Sequence, residues 1–390
     1  MEKILALIGV LVFVGLGYLM SVDKKNINWK SVGIAFVGQF VLALLLIKTP
    51  LWEAVGVMSN AVSWLIAQSG EGINFVFGGL VPEGGYVMFI NALLPIVFIS
   101  ALMGLMFHFG ILQAIIGFIG KTLAKFLDVD TLVAVNNVTN MFFGQSDSLF
   151  VTKSYLPKAS DRAIFATLVG GMTSISVTVV GLYASMGADM NWIIISLPLT
   201  VISTFVLTQI VMPTKYQGDK IEIENDKGVN AIETMMNYAN AGFKGVIGIT
   251  VALIVFLSIV AMINNFIGLF FDGVTMQSII GIIFKPLALL MGVSPAEVGV
   301  VSEILATKLI TNEAVAFGLP AFATLSVNAK AMVTVALCGF AGIGSIGILI
   351  GGYSAIAPNK VPVVAKLGAK ALICATAVNI LTGAVVGLFL

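Results

Sequence analysis

Charge is scarce in this sequence. Only 10% of its 390 residues are Asp, Glu, Lys or Arg, against roughly 25% in soluble domains. A single histidine and two well-separated cysteines give no metal-ligand spacing. There is no Gly-x-x-x-x-Gly-Lys-Ser/Thr loop, and no polar stretch long enough to house one, which excludes an NTP-driven pump. Nor is there a nucleophile–base or metal constellation, so an enzyme is not expected. A net charge of +1 implies no nucleic-acid or acidic partner. Cys338 and Cys374 lie inside apolar runs and read as small buried hydrophobes rather than a disulfide. What fills the chain instead is apolar: 59% of residues are hydrophobic, and the mean hydropathy is +1.07. The solvent for most of this surface is lipid. The first apolar run is followed by Ser21, Val22 and Asp23 rather than an Ala-x-Ala site, and reads as a retained span.

Crossing roughly 30 Å of hydrocarbon takes about 20 apolar residues. Eight runs qualify: Ile4–Met20, Val32–Ile47, Val87–Phe107, Ala163–Met186, Trp192–Val211, Val246–Phe270, Ala329–Ile350 and Val364–Leu388. Leu51–Gln68 and Ile111–Phe126 mix polar and apolar positions at helical spacing and suit the interface. Asn230–Lys244 reads as an amphipathic lead-in to the sixth span.

Two further stretches are long enough to enter the membrane but polar at their centres. Val129–Leu156 carries Asn136, Asn137, Asn140, Gln145, Ser146 and Asp147. Pro295–Phe322 carries Glu303, Thr307, Lys308, Thr311, Asn312 and Glu313. Such groups do not belong on a lipid-facing helix and fit re-entrant hairpins buried in protein. Charge agrees. With both termini outside and each hairpin returning to its own side, 15 of the 20 Lys and Arg residues face the cytoplasm, Lys24, Lys25, Lys30, Lys121, Lys125, Arg162, Lys220, Lys227 and Lys370 among them. The first hairpin then opens inward and the second outward.

Each hairpin heads a similar block. Gly170-Gly171-Met172-Thr173-Ser174 leads to Tyr183; Gly339-Phe340-Ala341-Gly342-Ile343 leads to Tyr353. The expected fold is therefore all-α and polytopic: eight transmembrane helices, interfacial helices, and two opposed hairpins in an inverted repeat, the architecture of secondary transporters. Residues 1–128 form scaffold spans and interfacial helices. Residues 129–211 are the first repeat, 212–270 a cytoplasmic link with a scaffold span, and 271–390 the second repeat. The expected location is the cell membrane.

Intramembrane carboxylates are costly and usually functional, which singles out Asp147 and Glu313. Gln145 and Asn312 add paired donors and acceptors for a polar uncharged substrate. Ser174 sits where glycines break a span, and freed carbonyls there suit Na⁺, with Asn140 able to add an oxygen. Lys308 is expected to partner a carboxylate such as Glu303, and His108 to be a satisfied interfacial histidine. Phe340, beside the broken seventh span, offers a stacking surface. Energy must come from an ion gradient or from the substrate's own gradient, with no cofactor.

Gly144-Gln145-Ser146-Asp147, Thr311-Asn312-Glu313-Ala314-Val315-Ala316-Phe317 and Ala336-Leu337-Cys338-Gly339-Phe340-Ala341 resemble the motifs of the concentrative nucleoside transporters, and the resemblance covers essentially the whole chain. It implies a homotrimer importing nucleosides with Na⁺ or H⁺, in which a transport domain moves against a scaffold. It implies that Gln145, Ser146 and Asp147 face the nucleobase, that Glu313 binds ribose hydroxyls, that Phe340 and Val179 line the pocket, and that Ser345 reaches the sugar. Asn140, Phe143, Ser174 and Ile175 would form the cation site, partly through carbonyls. Asp147 replaces the usual Glu, Ala314 a Phe, and Gly342 an Asn that contacts ribose. These departures keep open a related substrate: another small polar solute, such as a modified nucleoside or a nucleobase.

Overall fold

The computed structural model describes residues 1–81, 85–218, 221–223 and 228–390. The polar link between Glu224 and Lys227, together with Lys220, lies outside the described residues. The described chain is helical, with no strand among those residues. Helices α1 (Glu2–Met20), α2 (Trp29–Lys48), α3 (Leu51–Phe77), α4 (Pro95–His108) and α5 (Ile111–Leu127) come before the first hairpin, α6 (Thr131–Val151). A broken span follows, α7 (Asp161–Thr173) and α8 (Val180–Ser185), then α9 (Met190–Val211). α10 (Ala231–Gly268) and α11 (Met276–Leu290) lead to the second hairpin, made of α12 (Val298–Ile310), α13 (Glu313–Phe317) and α14 (Pro320–Ala323). The second broken span is α15 (Val327–Leu337) and α16 (Ile343–Ile356), and α17 (Val361–Phe389) ends the chain.

Among the described residues, seven helical stretches are long and apolar enough to cross a membrane: 2–20, 29–48, 89–108, 161–185, 190–211, 231–268 and 358–389. The eighth expected span, Ala329–Ile350, is two shorter apolar helices, α15 and α16. The chain unwinds between them at Cys338–Gly342, where two glycines weaken the helix. Burial separates centre from rim. In the most apolar 18 residues of the α7–α8 stretch and of α9, 89% are buried within the protein, against 17% in those of α10. Ile254, Met262 and Phe266 of α10 are exposed on the outer surface of the chain.

Two sequence boundaries shift. Asn230–Lys244 is not a separate lead-in but the start of α10, one unbroken helix of 38 residues. At 1.5 Å per residue it is about 57 Å long, so its polar first turns overhang a hydrocarbon layer of about 30 Å. Asn230 caps it by accepting from the Glu233 amide at 2.9 Å. α3 runs nine residues past Gln68, to Phe77. His108 is satisfied as expected, hydrogen-bonded through Nδ1 to Thr234 Oγ1 at 3.0 Å.

The hairpins are rooted at opposite ends of α1. Arg162, just after the first hairpin, meets Asp23 beyond the C-terminal end of α1 at 2.6 Å, and also donates to Pro213 O at 3.2 Å. Asp130, at the hairpin's start, donates its amide to the neighbouring Thr214 at 3.4 Å. The second hairpin is pinned shut at its base by Glu297, which accepts from the Ser326 amide at 2.6 Å and from its hydroxyl at 2.8 Å. Gly292, which leads into it, packs against Glu2 and Ala6 at the other end of α1. Hydrogen bonds from Asn26 and Arg162 hold the half-buried Asp23 carboxyl below its usual range. That contribution is complete above the ordinary Asp value and fades only as pH falls through the lowered one. Any pH response near neutrality must arise elsewhere.

Candidate functional site

The two broken helices meet end to end in the protein's centre. α7 starts at one face and stops at Thr173; α15 starts at the other and stops at Leu337. A β-carbon on Gly339 would lie 2.4 Å from Thr173 O and 2.6 Å from both polar atoms of the Asn379 amide. Only glycine permits so close an approach. Asn379, on α17, donates to Thr173 O at 2.7 Å and accepts from Lys308 Nζ at 2.9 Å. Lys308 also donates to Ala336 O at 2.6 Å. This corrects the expected Lys308–Glu303 pairing. Glu303 is exposed and faces Gly281 of α11.

The first hairpin reaches this junction by turning at Gly144, whose φ of 79° and ψ of 178° lie in a region essentially reserved for glycine. A β-carbon there would sit 3.4 Å from Ser176 and 3.5 Å from the Phe340 ring. The tip is thus wedged between the two helix breaks. Gly144→Ala is expected to destabilise the protein by about 1–3 kcal/mol. Thermal unfolding of the purified variant checks this, and an unshifted midpoint would mean that the turn tolerates a side chain.

Around the tip, Gln145, Phe340 and Ser345 come together. Gln145 Nε2 donates to Ser345 Oγ at 3.4 Å, and the Ser345 hydroxyl donates to the Phe340 carbonyl. Gln145 Oε1 is buried and has no partner in the protein, although buried acceptors are normally satisfied. Ser146 is half-buried beside it.

The second hairpin breaks at Thr311, and Asn312 is extended with φ of −165°. Asn312 spends its side-chain oxygen as a cap on α13, accepting from the Val315 amide at 2.9 Å. That cap presents Glu313 at the first position of α13. Glu313 is buried and accepts from the Tyr183 hydroxyl at 2.8 Å. Tyr183 stacks on Phe317 at 5.0 Å between ring centroids. Glu313 thus joins the second hairpin to the first broken helix. Sequence reading found Tyr183 only as a repeat landmark. Gly342 packs on the second hairpin too, where a β-carbon would lie 3.2 Å from Lys308 O and 3.3 Å from Thr311 O. An asparagine there would have to displace that backbone.

Asp147 and Val179 occupy the wall of a neighbouring cavity of about 630 Å³, within the 300–1,000 Å³ typical of small-molecule sites. Asp147 is exposed, its side chain open to the cavity. Opposite stand Ser100 and Phe107 of α4 and Asn237 and Tyr238 of α10. None of these four was singled out in the sequence, because α4 and the start of α10 meet the hairpin only through tertiary packing.

The expected cation residues divide. Asn140 is fully buried in a ladder that ties the hairpin's legs together. Its Oδ1 accepts from Ser148 Oγ at 2.5 Å, its Nδ2 donates to Asn136 Oδ1 at 3.4 Å, and Asn136 donates to Thr152 Oγ1 at 3.3 Å. Ser174, the first residue past the end of α7, donates to Gly170 O at 3.1 Å. Ile175 is buried next to it. Phe143 turns its ring toward Phe107 and Tyr238 instead, on the cavity side. The hairpin tip and the break are joined by Ser176, whose hydroxyl donates to Phe142 O at 2.7 Å. The Phe142 carbonyl of α6 and the Ser176 hydroxyl beyond α7 therefore meet at one junction.

Known proteins match this chain along its length. Family profiles described as Na⁺ dependent nucleoside transporter N-terminus, nucleoside recognition, and Na⁺ dependent nucleoside transporter C-terminus match residues 8–80, 89–190 and 192–387. An uncharacterized transporter of Haemophilus influenzae is 34% identical over 100% of this chain and 98% of its own length. The nucleoside permease NupC of Helicobacter pylori is 30% identical with the same coverage. The solved structure of CNTnw in an inward-facing substrate-bound state is 32% identical, covering 99% of this chain and 98% of that one, with a TM-score of 0.92.

Proposed function

The chain belongs to the Na⁺ dependent, concentrative nucleoside transporter family and is a multi-pass membrane transporter, not an enzyme; from that premise we propose that it imports nucleosides across the cell membrane by symport with a cation, binding substrate between the tips of its two hairpins. The observation that carries this reading is the unpartnered buried Oε1 of Gln145 at the meeting point of hairpin and helix breaks. Gln145, Ser146 and Asp147 face the base, with Phe340 and Val179 as apolar walls. Glu313, held by Tyr183, accepts from the ribose hydroxyls. Asn312 positions Glu313, and Ser345 orients Gln145 and reaches the sugar. The cavity bounded by Asp147 and Tyr238 is the path to one side of the membrane.

The cation binds among Asn140, Ser174 and carbonyls near Phe143 and Ile175. Neutral oxygens of this kind suit Na⁺; they cannot carry a proton at neutral pH, a task that would fall to Asp147. Cation binding there fixes the hairpin tip and presents Gln145 to the substrate. The two repeats, 129–211 and 271–390, then move against a scaffold of 1–128 and 212–270, giving alternating access. Roots at opposite ends of α1 support an inverted repeat. Lys30, Lys121 and Lys125 line one common pocket, which supports a shared cytoplasmic face, with both termini outside. The assembly is a homotrimer, following the family resemblance.

Nucleoside affinity measured with and without Na⁺ at fixed pH tests the coupling. About tenfold or tighter binding in Na⁺ is expected, and Asn140→Ala is expected to abolish the difference. Equal affinities, with a pH dependence instead, would move coupling to a proton at Asp147. The close packing of Gly342 on the second hairpin favours one alternative substrate class, a modified nucleoside or nucleobase, because no side chain there can reach a sugar. A competition panel decides between them: inhibition by common ribonucleosides supports the first reading, and none by any of them supports the second.

A further inference from the structure

α7 and α15 end head-on. A helix C-terminus carries about half a negative charge, and here two such ends converge on Asn379, with the Glu313 carboxylate acting electrostatically on the same neighbourhood. Buried negative potential of this kind favours a cation. At the end of α15 it already is, by the ammonium group of Lys308 on Ala336 O. At the end of α7 the Thr173 carbonyl is met instead by the neutral amide of Asn379, at 2.7 Å. The first hairpin, Thr131–Val151, contains Asp147 as its single charged residue, whereas the second brings both Lys308 and Glu313. The two breaks are thus built alike but supplied differently.

We propose that Lys308 is a tethered internal cation, occupying at the second helix break the position that the coupling ion takes at the first. Lys308 is a positioning residue. It holds the end of α15, and through Asn379 it orients the Thr173 carbonyl at the end of α7, where the mobile ion arrives. The second hairpin therefore needs no ion from solution, and cation dependence is confined to the first. This rests on the assignment of the coupling ion to Asn140 and Ser174.

The test uses the purified full-length protein and Lys308→Met, each also in an Asn140→Ala background. Thermal unfolding is followed as NaCl replaces N-methyl-D-glucamine chloride at constant ionic strength. In the organic salt, Lys308→Met is expected to unfold about 5–10 °C lower than the parent. Na⁺ or Li⁺, small enough to enter the emptied position, is expected to restore part of that loss in a saturable phase. This phase must persist in the Asn140→Ala background, where the parent shows none. Lys308→Arg is expected to behave as the parent does. Equal destabilisation of Lys308→Met in both salts overturns the proposal in favour of a packing role. So does a variant as stable as the parent. If Lys308→Met fails to fold, Lys308→Gln carries the same test, because its amide keeps a donor for Ala336 O. Loss of Met, Gln and Arg variants alike in every salt also overturns it. Cation dependence that survives Asn140→Ala in the parent would instead indict the first-hairpin assignment, so the two failures are separable.

Discussion

Glu313→Gln is expected to weaken nucleoside binding by about 10- to 150-fold while shifting thermal unfolding only slightly. The carboxylate is buried at the first turn of α13 and already accepts one hydrogen bond, from Tyr183 at 2.8 Å. Its remaining lone pairs are what the proposed ribose hydroxyls would use. A hydrogen bond to a charged acceptor contributes about 1.5–3 kcal/mol, and each 1.4 kcal/mol is a factor of about ten in affinity. Glutamine preserves the volume and leaves one oxygen for Tyr183. It also turns an amide donor toward hydroxyls that need an acceptor. The loss should therefore fall on binding rather than folding. Titration with labelled nucleoside, paired with an unfolding curve, separates the two. Near-normal affinity would remove Glu313 from the substrate site.

Gly339→Ala should do the opposite, damaging the fold first. Its β-carbon would come within 2.4 Å of Thr173 O, a backbone atom at the end of a buried helix. Either α7 retreats or the Asn379–Thr173 bond of 2.7 Å breaks. Overpacking costs about 1–3 kcal/mol, and a lost buried hydrogen bond costs about 1–3 more. A destabilisation of roughly 2–6 kcal/mol is expected, read as a lowered unfolding midpoint in detergent. Unchanged stability would mean that the two breaks do not bear on each other.

Much of this was legible in the sequence because membrane proteins announce their exceptions. Lipid forbids unpaired polar groups, so Asn140, Gln145, Asp147, Lys308 and Glu313 in otherwise apolar stretches had to mark protein-lined hairpins. Gly339 and Gly342 marked the second break, whereas Gly170 and Gly171 proved to lie inside α7, whose helix ends only after Thr173. What stayed hidden was pairing across distance. Tyr183 and Glu313 are 130 residues apart, and no local pattern joins them. Asn379 sits in a span whose composition is otherwise ordinary. The Lys308–Glu303 expectation failed on geometry: five residues apart on a helix puts side chains about 140° apart, and Glu303 turns to α11 while Lys308 turns inward. The start of α10 misled differently. Hydropathy falls over Asn230–Lys244, but backbone hydrogen bonding does not stop where hydropathy falls, and a polar extension that walls the cavity continues the same helix.

The central claim is that the two polar hairpins couple a nucleoside to a cation. Uptake of labelled nucleoside into proteoliposomes, under imposed Na⁺ and H⁺ gradients separately, tests it most directly. Accumulation above the external concentration is expected, collapsing when the coupling gradient is dissipated. Uptake that persists undiminished after both gradients are abolished would contradict it.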